Sequence, residues 1–268
     1  MSLLEVKEAA FAYDENEIFH DISFALEKGQ LCCLMGPNGC GKSTLLDCIL
    51  GIHSLASGSC LVGGLETAAY KPHLLARQLS YVPQIHDRSF PYEVLQIVLM
   101  GRTAFIGSLG SPDPEDMRIS LEALASVGIE HLADRPYTQI SGGEMQLVLL
   151  ARALVQETPI IIMDEPTAHL DFKNELLFME RMVKLIKEQT VSILLATHSP
   201  NQAFYFENQG VDIKVAAINE GRLFAYGLPS QVLTEQSIAD IYGIHCHILQ
   251  KSQEEFGTLR QIVPIHSF

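Results

Sequence analysis

The chain has 268 residues, of which 47% are apolar, enough for one large domain with a full hydrophobic core. Its 32 acidic residues outnumber its 18 Lys and Arg, and this net charge of −14 argues against nucleic acid as a partner, because phosphates require basic side chains. No apolar run approaches the ~20 residues that cross a bilayer, and the N-terminus lacks the apolar core of a signal peptide. We therefore expect a soluble protein with reduced thiols, since its six cysteines lack the spacing of a disulfide framework.

Strands and helices alternate along most of the chain. Short apolar runs predict strands, the first two antiparallel, at 3–13, 18–30, 30–36, 59–64, 79–84, 159–166 and 191–198. Helical spacing predicts helices over 44–52, within 94–135 and over 174–189. Residues 215–227 predict a hairpin, and the tail from Pro229 predicts a short helix or two plus irregular strand. This order indicates an α/β fold whose mostly parallel sheet binds ligands at the carboxyl ends of its strands.

A glycine-rich stretch, GPNGCGKS at 36–43, matches G-x-x-x-x-G-K-[ST] between a predicted strand and a predicted helix. Glycines let backbone N–H groups surround phosphate oxygens, and the helix start adds a positive dipole end. Lys42 would reach the β- and γ-phosphates, the Ser43 hydroxyl would bind Mg²⁺, and Thr44 is placed for the α-phosphate. The residues expected to hold the nucleotide are Gly36, Asn38, Gly39, Cys40, Gly41, Lys42, Ser43 and Thr44.

Polar side chains follow three other apolar strands. Asp164 fits the role of magnesium ligand, and Glu165 that of the general base or positioner for the attacking water. Without the phosphate loop, the two acids would equally be a solvated strand end. His198 could donate a hydrogen bond to the transferring phosphoryl group, although a lone histidine is more often structural. Gln84 could join the magnesium shell or be only a surface glutamine. Tyr13 could stack on an adenine ring or serve as a core tyrosine. The chain lacks an N-K-x-D motif, which favours ATP over GTP.

A second glycine motif, Ser141-Gly142-Gly143-Glu144, begins another predicted helix. It is a capping box, in which Ser141 caps the helix and Glu144 turns back to the cap. A capping box does not require two glycines, which weaken a first helical turn, whereas close approach of another group to the backbone does. Because one triphosphate is already surrounded by the first loop, the second motif indicates a site shared between two copies of the chain.

Together these motifs resemble the ATP-binding subunit of ABC transporters over essentially the whole chain. The resemblance identifies Walker A (36–44), the Q-loop (Gln84), the signature (141–146), Walker B (160–166), the D-loop (168–171) and the switch histidine (His198). It implies a P-loop NTPase fold, with a RecA-like parallel sheet core, an antiparallel β subdomain and an inserted α-helical subdomain. The expected divisions are a core of 1–90 and 156–228, a helical subdomain of 91–155 and a C-terminal extension of 229–268.

The resemblance also implies the partners. ATP hydrolysis with Mg²⁺ would occur in a homodimer with ATP at the interface, where Ser141, Gly142 and Gly143 of one copy close on the γ-phosphate of the other. Asp171 would couple the two sites. As a peripheral protein at the cytoplasmic face of the membrane, the chain would contact an integral-membrane permease through the segment Gln84–Tyr92 and would serve a substrate-binding protein indirectly.

The stretches 89–102 and 196–203 are similar to subunits of metal-chelate importers, whose cargoes are iron-siderophores, haem, vitamin B12 or molybdate-type oxyanions. The alternatives are an ABC ATPase of another transporter class, a non-transport nucleotide-gated module and a P-loop kinase or GTPase.

Glu144 replaces the Gln that the family signature commonly has, and we expect weak consequences because a capping residue turns away. His245 and His247 would share one face of a strand with Cys246 opposite, too few ligands for a closed zinc site.

Overall fold

A computed structural model describes residues 2–84, 90–106, 110–188, 191–253 and 257–268. The strands are β1 Ser2–Tyr13, β2 Asn16–Glu27, β3 Leu31–Met35, β4 Ser57–Val62, β5 Leu65–Glu66, β6 Leu79–Val82, β7 Ile160–Asp164, β8 Ser192–Thr197, β9 Ile213–Asn219, β10 Arg222–Gly227, β11 Ile244–Gln253 and β12 Gly257–Ser267. The helices are α1 Lys42–Ile49, α2 Pro72–Leu75, α3 Val94–Leu99, α4 Pro114–Val127, α5 Gly142–Leu154, α6 Phe172–Lys187, α7 Pro200–Asn208, α8 Pro229–Val232 and α9 Glu235–Tyr242. Within these ranges, no helix is long and apolar enough to cross a membrane.

The chain forms two compact units. Unit 1 comprises residues 1–70 and 185–268, and unit 2 comprises residues 71–184. The division into core, helical subdomain and C-terminal extension given above stays a prediction.

In unit 1, the phosphate loop follows a strand that lies between two parallel neighbours. β3 pairs in parallel with β8 on one side and with β9 on the other, and all five of its residues are buried. β9 and β10 form the predicted antiparallel hairpin, and β1 pairs antiparallel with β2, as the alternating N-terminal pattern predicts. β1 also pairs antiparallel with β4, which the sequence did not predict. A strand that is buried on both faces reads as a continuous apolar run, which explains why Leu31–Met35 contains no polar residue.

The C-terminal tail differs from the expectation of irregular strand. After α8 and α9, β11 and β12 form a regular antiparallel hairpin of 10 and 11 residues. Cys246 on β11 is buried, whereas His245 and His247 are exposed, as the alternation of a strand predicts. Among the described residues, no group of three or more His, Cys, Asp or Glu is arranged to hold a metal ion.

Unit 2 combines a short parallel strand pair with helices. β6 pairs with β7 in parallel, from Leu79 opposite Ile160 to Val82 opposite Met163. The predicted helical region contains α3, α4 and α5, but the stretch 130–135 forms only a single 3₁₀ turn, Glu130–Leu132. Before this turn, α4 ends at Gly128, whose left-handed backbone (φ 80°) is a common helix terminator.

A buried arginine joins three segments of unit 2. The Arg102 guanidinium donates to Asp116 Oδ1 at 2.8 Å, to the carbonyl of Val155 at 2.8 Å and to Glu157 Oε2 at 2.5 Å. It also lies 4.3 Å from the ring centroid of Phe105. The hydrogen bond from Arg102, with one from the Asp113 backbone N–H, lowers the pKa of Asp116. This carboxylate therefore stays charged in the folded protein and holds α4 against the end of α5.

Substituting Arg102→Met should lower the free energy of unfolding by about 3 kcal/mol at pH 7, because it leaves the buried Asp116 without its cation. Since the pKa of Asp116 is lowered by folding, its contribution is present above the unfolded value of about 3.9 and is lost as pH falls through the folded pKa. The difference between variant and parent should therefore shrink below about pH 4. Urea titrations from pH 3 to 8 measure it.

Arg118→Met is the matched control, because Arg118 lies on α4 but its partners Glu115 and Glu122 are exposed. It should leave stability nearly unchanged. Equal losses from the two arginine variants would show that burial of the Arg102 network has no special role.

Candidate functional site: a phosphate loop and its partner motifs

The phosphate loop of unit 1 begins where β3 ends. In the parallel ladder, Met35 lies opposite Thr197 of β8 and opposite Ala217 of β9. The residues that follow these three positions therefore emerge at the same edge of the strands. They are Gly36, which begins the loop, His198 and Ile218.

The loop is shaped by close backbone approach and by Lys42. A Cβ on Gly36 would lie 2.3 Å from the carbonyl oxygen of Ile218, so no larger residue fits there. Lys42 is buried, and its Nζ donates to the carbonyls of Gly36 at 2.9 Å and Pro37 at 3.1 Å. Its ammonium is thus held against the first two carbonyls of the loop, where it provides a positive charge for an anion.

The helix after the loop leaves its first turn available. The cap residue of α1, Gly41, makes no side-chain hydrogen bond to the helix N–H groups, and no acidic side chain lies in the first turn. Ser43 is exposed and Thr44 half-buried in that turn. The first turn of α1 therefore combines backbone N–H donors with two hydroxyl residues, a combination that binds phosphate.

His198 and Tyr13 are both in unit 1 but are positioned differently. His198 is exposed directly after β8, at the edge where the loop begins. Tyr13 ends β1 and is 46% exposed, and its hydroxyl lies 3.1 Å from His53 Nε2. The Phe11 ring contacts it edge-on, with centroids 4.8 Å apart. An exposed aromatic face held by two neighbours is suited to stacking.

Unit 2 presents the carboxylates at the ends of its parallel strands. Asp164 is buried as the last residue of β7, and Glu165 follows it with a left-handed backbone (φ 43°). Glu165 is one of six described non-glycine residues with positive φ, a strained conformation that is common at functional sites. Because Val82 lies opposite Met163, Gln84 emerges at the same edge as these two acids.

The signature motif has the predicted capping geometry. Ser141 Oγ accepts from the Glu144 N–H at 3.3 Å, and Glu144 Oε2 accepts from the Ser141 N–H at 2.7 Å. The hydrogen bond from the Ser141 backbone also lowers the pKa of Glu144. The Glu144 side chain therefore turns back to the cap of α5, as the sequence predicted, and its carboxylate is bound by the Ser141 backbone N–H.

The two signature glycines have different surroundings. A Cβ on Gly143 would lie 2.5 Å from Cγ of Asn174, whereas one on Gly142 would meet nothing within 4 Å. Asn174 in turn binds Asp171, whose Oδ1 accepts from the Asn174 backbone N–H at 2.9 Å and whose Oδ2 accepts from its side-chain amide at 2.8 Å. Gly143 thus makes room for the residue that holds the D-loop aspartate, and Gly142 alone faces open space.

A groove of about 1120 Å³ also opens in unit 2. It is lined by residues that include Arg77, Tyr92, Gln96, Met100, Phe105 and Met117. The guanidinium carbons of Arg77 and Arg102 lie 5.2 Å and 4.3 Å from the centroid of the Phe105 ring. Of the segment expected to contact a permease, Phe90 and Tyr92 are exposed, whereas residues 85–89 lie outside the described residues.

Sequence patterns did not identify two residues that position the site. His53 holds the Tyr13 hydroxyl, and Asn174 links Gly143 to Asp171. Neither lies within a recognisable motif. Both act through contacts with residues far away in the sequence or on a neighbouring element, which spacing alone does not reveal.

A glycine loop with an inward lysine, between a parallel strand and a helix, defines a P-loop nucleotide-binding site. Residues 19–168 match the family model described as ABC transporter. The chain is 39% identical over 240 residues to an uncharacterized ABC transporter ATP-binding protein of Haemophilus influenzae, covering 90% of this chain and 89% of that protein. It is 33% identical to the molybdate import ATP-binding protein MolC of the same organism, covering 98% and 96%.

A solved structure supports the same family. The chain superposes with a TM-score of 0.86 and 32% identity on a chain of a transporter described as metal-chelate type, in an inward-facing conformation, covering 99% of this chain and 98% of that one. The chain therefore belongs to the ABC transporter family, as an ATP-binding subunit that hydrolyses ATP. The predicted family and fold are confirmed.

The two signature glycines generate a direct test. Gly143→Ala should lower the free energy of unfolding by about 1–3 kcal/mol, because its methyl group overlaps Asn174. Gly142→Ala, the matched control, should not lower it, since its methyl group enters open space and alanine is the better helix former. Urea unfolding of both variants measures the difference. If Gly142→Ala were the more damaging, the packing of Asn174 would not explain Gly143.

Proposed function

We propose that this chain is the ATPase subunit of an importer for a metal chelate, such as a siderophore, haem, cobalamin or a molybdate-type oxyanion. The observation that carries the proposal is the complete series of ATPase motifs, together with similarity to an importer subunit and a metal-chelate-type transporter along nearly the full chain. An ABC ATPase of another transporter class, or a non-transport nucleotide-gated module, is the alternative.

The nucleotide site is assigned residue by residue. The loop 36–44 would bind the triphosphate, Lys42 would neutralise the β- and γ-phosphates, and Tyr13 would stack on the adenine. Mg²⁺ would be held by Ser43, Gln84 and Asp164, whose hydroxyl, amide and carboxylate oxygens are the hard ligands it prefers. When bound, the ion would neutralise charge on the phosphate oxygens.

Hydrolysis would depend on Glu165 and His198. The Glu165 carboxylate would accept a proton from the attacking water or orient it toward the γ-phosphorus. His198 would donate a hydrogen bond to a γ-phosphate oxygen and so stabilise charge in the transition state. The positive φ of Glu165 supports this role, because strained backbone conformations are frequent at functional sites.

The signature motif supports a homodimer. Gly142 is bordered by open space, and the Ser141 side chain and Gly142 lie at the start of a 13-residue helix. We assign Ser141, Gly142 and Gly143 to the γ-phosphate bound by a second copy, so that two-fold symmetry creates two composite sites. Asp171, held by Asn174 behind Gly143, would link each signature motif to the opposite site.

Glu165→Gln should retain ATP binding, abolish turnover and accumulate a dimer that contains two ATP molecules. The amide preserves the shape of the side chain but accepts no proton, and turnover should fall by at least about 100-fold. Phosphate release and size-exclusion chromatography with Mg²⁺-ATP measure the two effects. Parent protein diluted until monomeric should also stop hydrolysing ATP. Full turnover by the variant would overturn the role of Glu165, and full turnover by dilute monomer would overturn the shared site.

The groove of unit 2 is the place where we expect the permease to bind. Its lining includes the exposed apolar side chains of Tyr92, Met100 and Phe105, the kind of surface that accepts the apolar face of a short helix. Tyr92, the last residue of the segment that the family resemblance assigns to this contact, lines the groove. The Phe105 ring, which both Arg77 and Arg102 contact, would supply an apolar wall.

Met100→Glu should weaken co-purification with the membrane subunit by at least about tenfold, because it buries an unpaired charge under the docked helix. Basal ATPase of the isolated subunit should not change. Leu121→Glu is the matched control, since Leu121 is similarly exposed on α4 but does not line the groove. Equal retention of the permease by both variants would place the interface elsewhere. Identification of the cargo on the co-purified binding protein would test the metal-chelate assignment.

A further inference from the structure

The C-terminal hairpin is attached to α7 by two asparagines that bind the backbone of β12. Asn201 Nδ2 donates to the Ile262 carbonyl at 3.1 Å, and Asn201 Oδ1 accepts from the Ile262 N–H at 2.7 Å. Asn208 repeats this pattern with Arg260, at 3.4 Å and 3.3 Å. Each side-chain amide thus takes the place of a neighbouring strand at the edge of β12.

The spacing of the two asparagines explains how a helix and a strand can be joined twice. Asn201 and Asn208 are seven residues apart and therefore lie on the same face of α7, about two turns from each other. Arg260 and Ile262 are two residues apart in β12, so their backbone N–H and C=O groups lie on the same edge of the strand and face α7. An ion pair between Glu207 and Arg260 at 3.0 Å adds a third contact. The contacts of Asn201 are shorter than those of Asn208, so the attachment is tighter at the start of the helix.

α7 begins at Pro200, two residues after His198. Thr197 Oγ1 donates to Gln202 Oε1 at 2.8 Å and accepts from the Ser199 N–H at 3.1 Å, which ties the end of β8 to the first turn of α7. Asn201 lies in that same turn and ties it to β12. The backbone that carries His198 is therefore held from two sides, by β8 and by the C-terminal hairpin.

We propose that Asn201 is a positioning residue, through which the C-terminal hairpin fixes the backbone of His198 for ATP hydrolysis. This inference rests on the role of His198 in the proposed function. The hairpin is distant in sequence from the other motifs, yet it bonds to the turn that begins two residues after the histidine. A small displacement of that turn moves the imidazole relative to the phosphate loop, and misplacement of about 1 Å is enough to lower a rate substantially.

Asn201→Ala should lower kcat by roughly three- to tenfold, the range expected when a positioning hydrogen bond is lost. The affinity for ATP, measured with a fluorescent nucleotide, should stay within about twofold, because the loop 36–44 is untouched. Asn208→Ala is the matched control. It removes the same kind of contact with β12 but from the far end of α7, and it should leave kcat nearly unchanged.

A double-mutant cycle with His198→Ala separates positioning from general destabilisation. If Asn201 acts through His198, Asn201→Ala should have no further effect on kcat once the imidazole is gone. Hydrogen exchange provides a readout independent of hydrolysis. The amides of Ser199 and Gln202 should exchange faster in Asn201→Ala than in Asn208→Ala.

Several results would overturn the inference. These are equal loss of kcat in both His198 backgrounds, equal effects of Asn201→Ala and Asn208→Ala, and unchanged exchange at the start of α7. If His198→Ala itself retained full kcat, both the role assigned to His198 and its positioning by Asn201 would fail. If His198→Ala were inactive while Asn201→Ala remained fully active, only the positioning by Asn201 would fail.

Discussion

The parallel register of β3 with β8 and β9 is the constraint on which the nucleotide site of unit 1 depends. It brings the positions after Met35, Thr197 and Ala217 to one edge, so the loop and His198 emerge together. The same register brings the Ile218 carbonyl so close to the loop that only glycine fits at position 36. A one-residue shift of β8 would move His198 relative to the loop, because strand position determines where each chain leaves the sheet.

Asn174 has a comparable role in unit 2. Its side chain occupies the space that the absent Cβ of Gly143 leaves, and its amide groups bind both oxygens of Asp171. The start of α5 and the start of α6 are therefore packed together through one side chain. This arrangement explains why two glycines occur in succession: one accommodates an internal neighbour, and the other leaves the backbone accessible.

In the C-terminal hairpin, side chains of neighbouring helices bind backbone groups at the edges of both strands. Asn201 and Asn208 bind the edge of β12, and Glu235 of α9 accepts from the Ile248 N–H of β11 at 2.9 Å. Polar side chains at a strand edge satisfy backbone groups that would otherwise pair with another chain. Here the same bonds also attach the hairpin to the helix that follows His198, so they connect the tail of the protein with the strand edge at which the phosphate loop begins.

The sequence by itself determined the family, the ATP-hydrolysing activity and the identity of the candidate phosphate-binding residues. Those residues are contiguous or follow short apolar strands, so their chemistry is visible as a local pattern. The capping box formed by Ser141 and Glu144 likewise followed from their spacing of three residues. The regular β11–β12 hairpin and the single turn at Glu130–Leu132 were not anticipated, because weakly patterned segments take their structure from what they pack against. Only the tertiary structure identified Asn174 behind Gly143, His53 beside Tyr13 and Asn201 on β12, since these contacts join side chains to distant backbone or rings and leave no periodic signal in the chain.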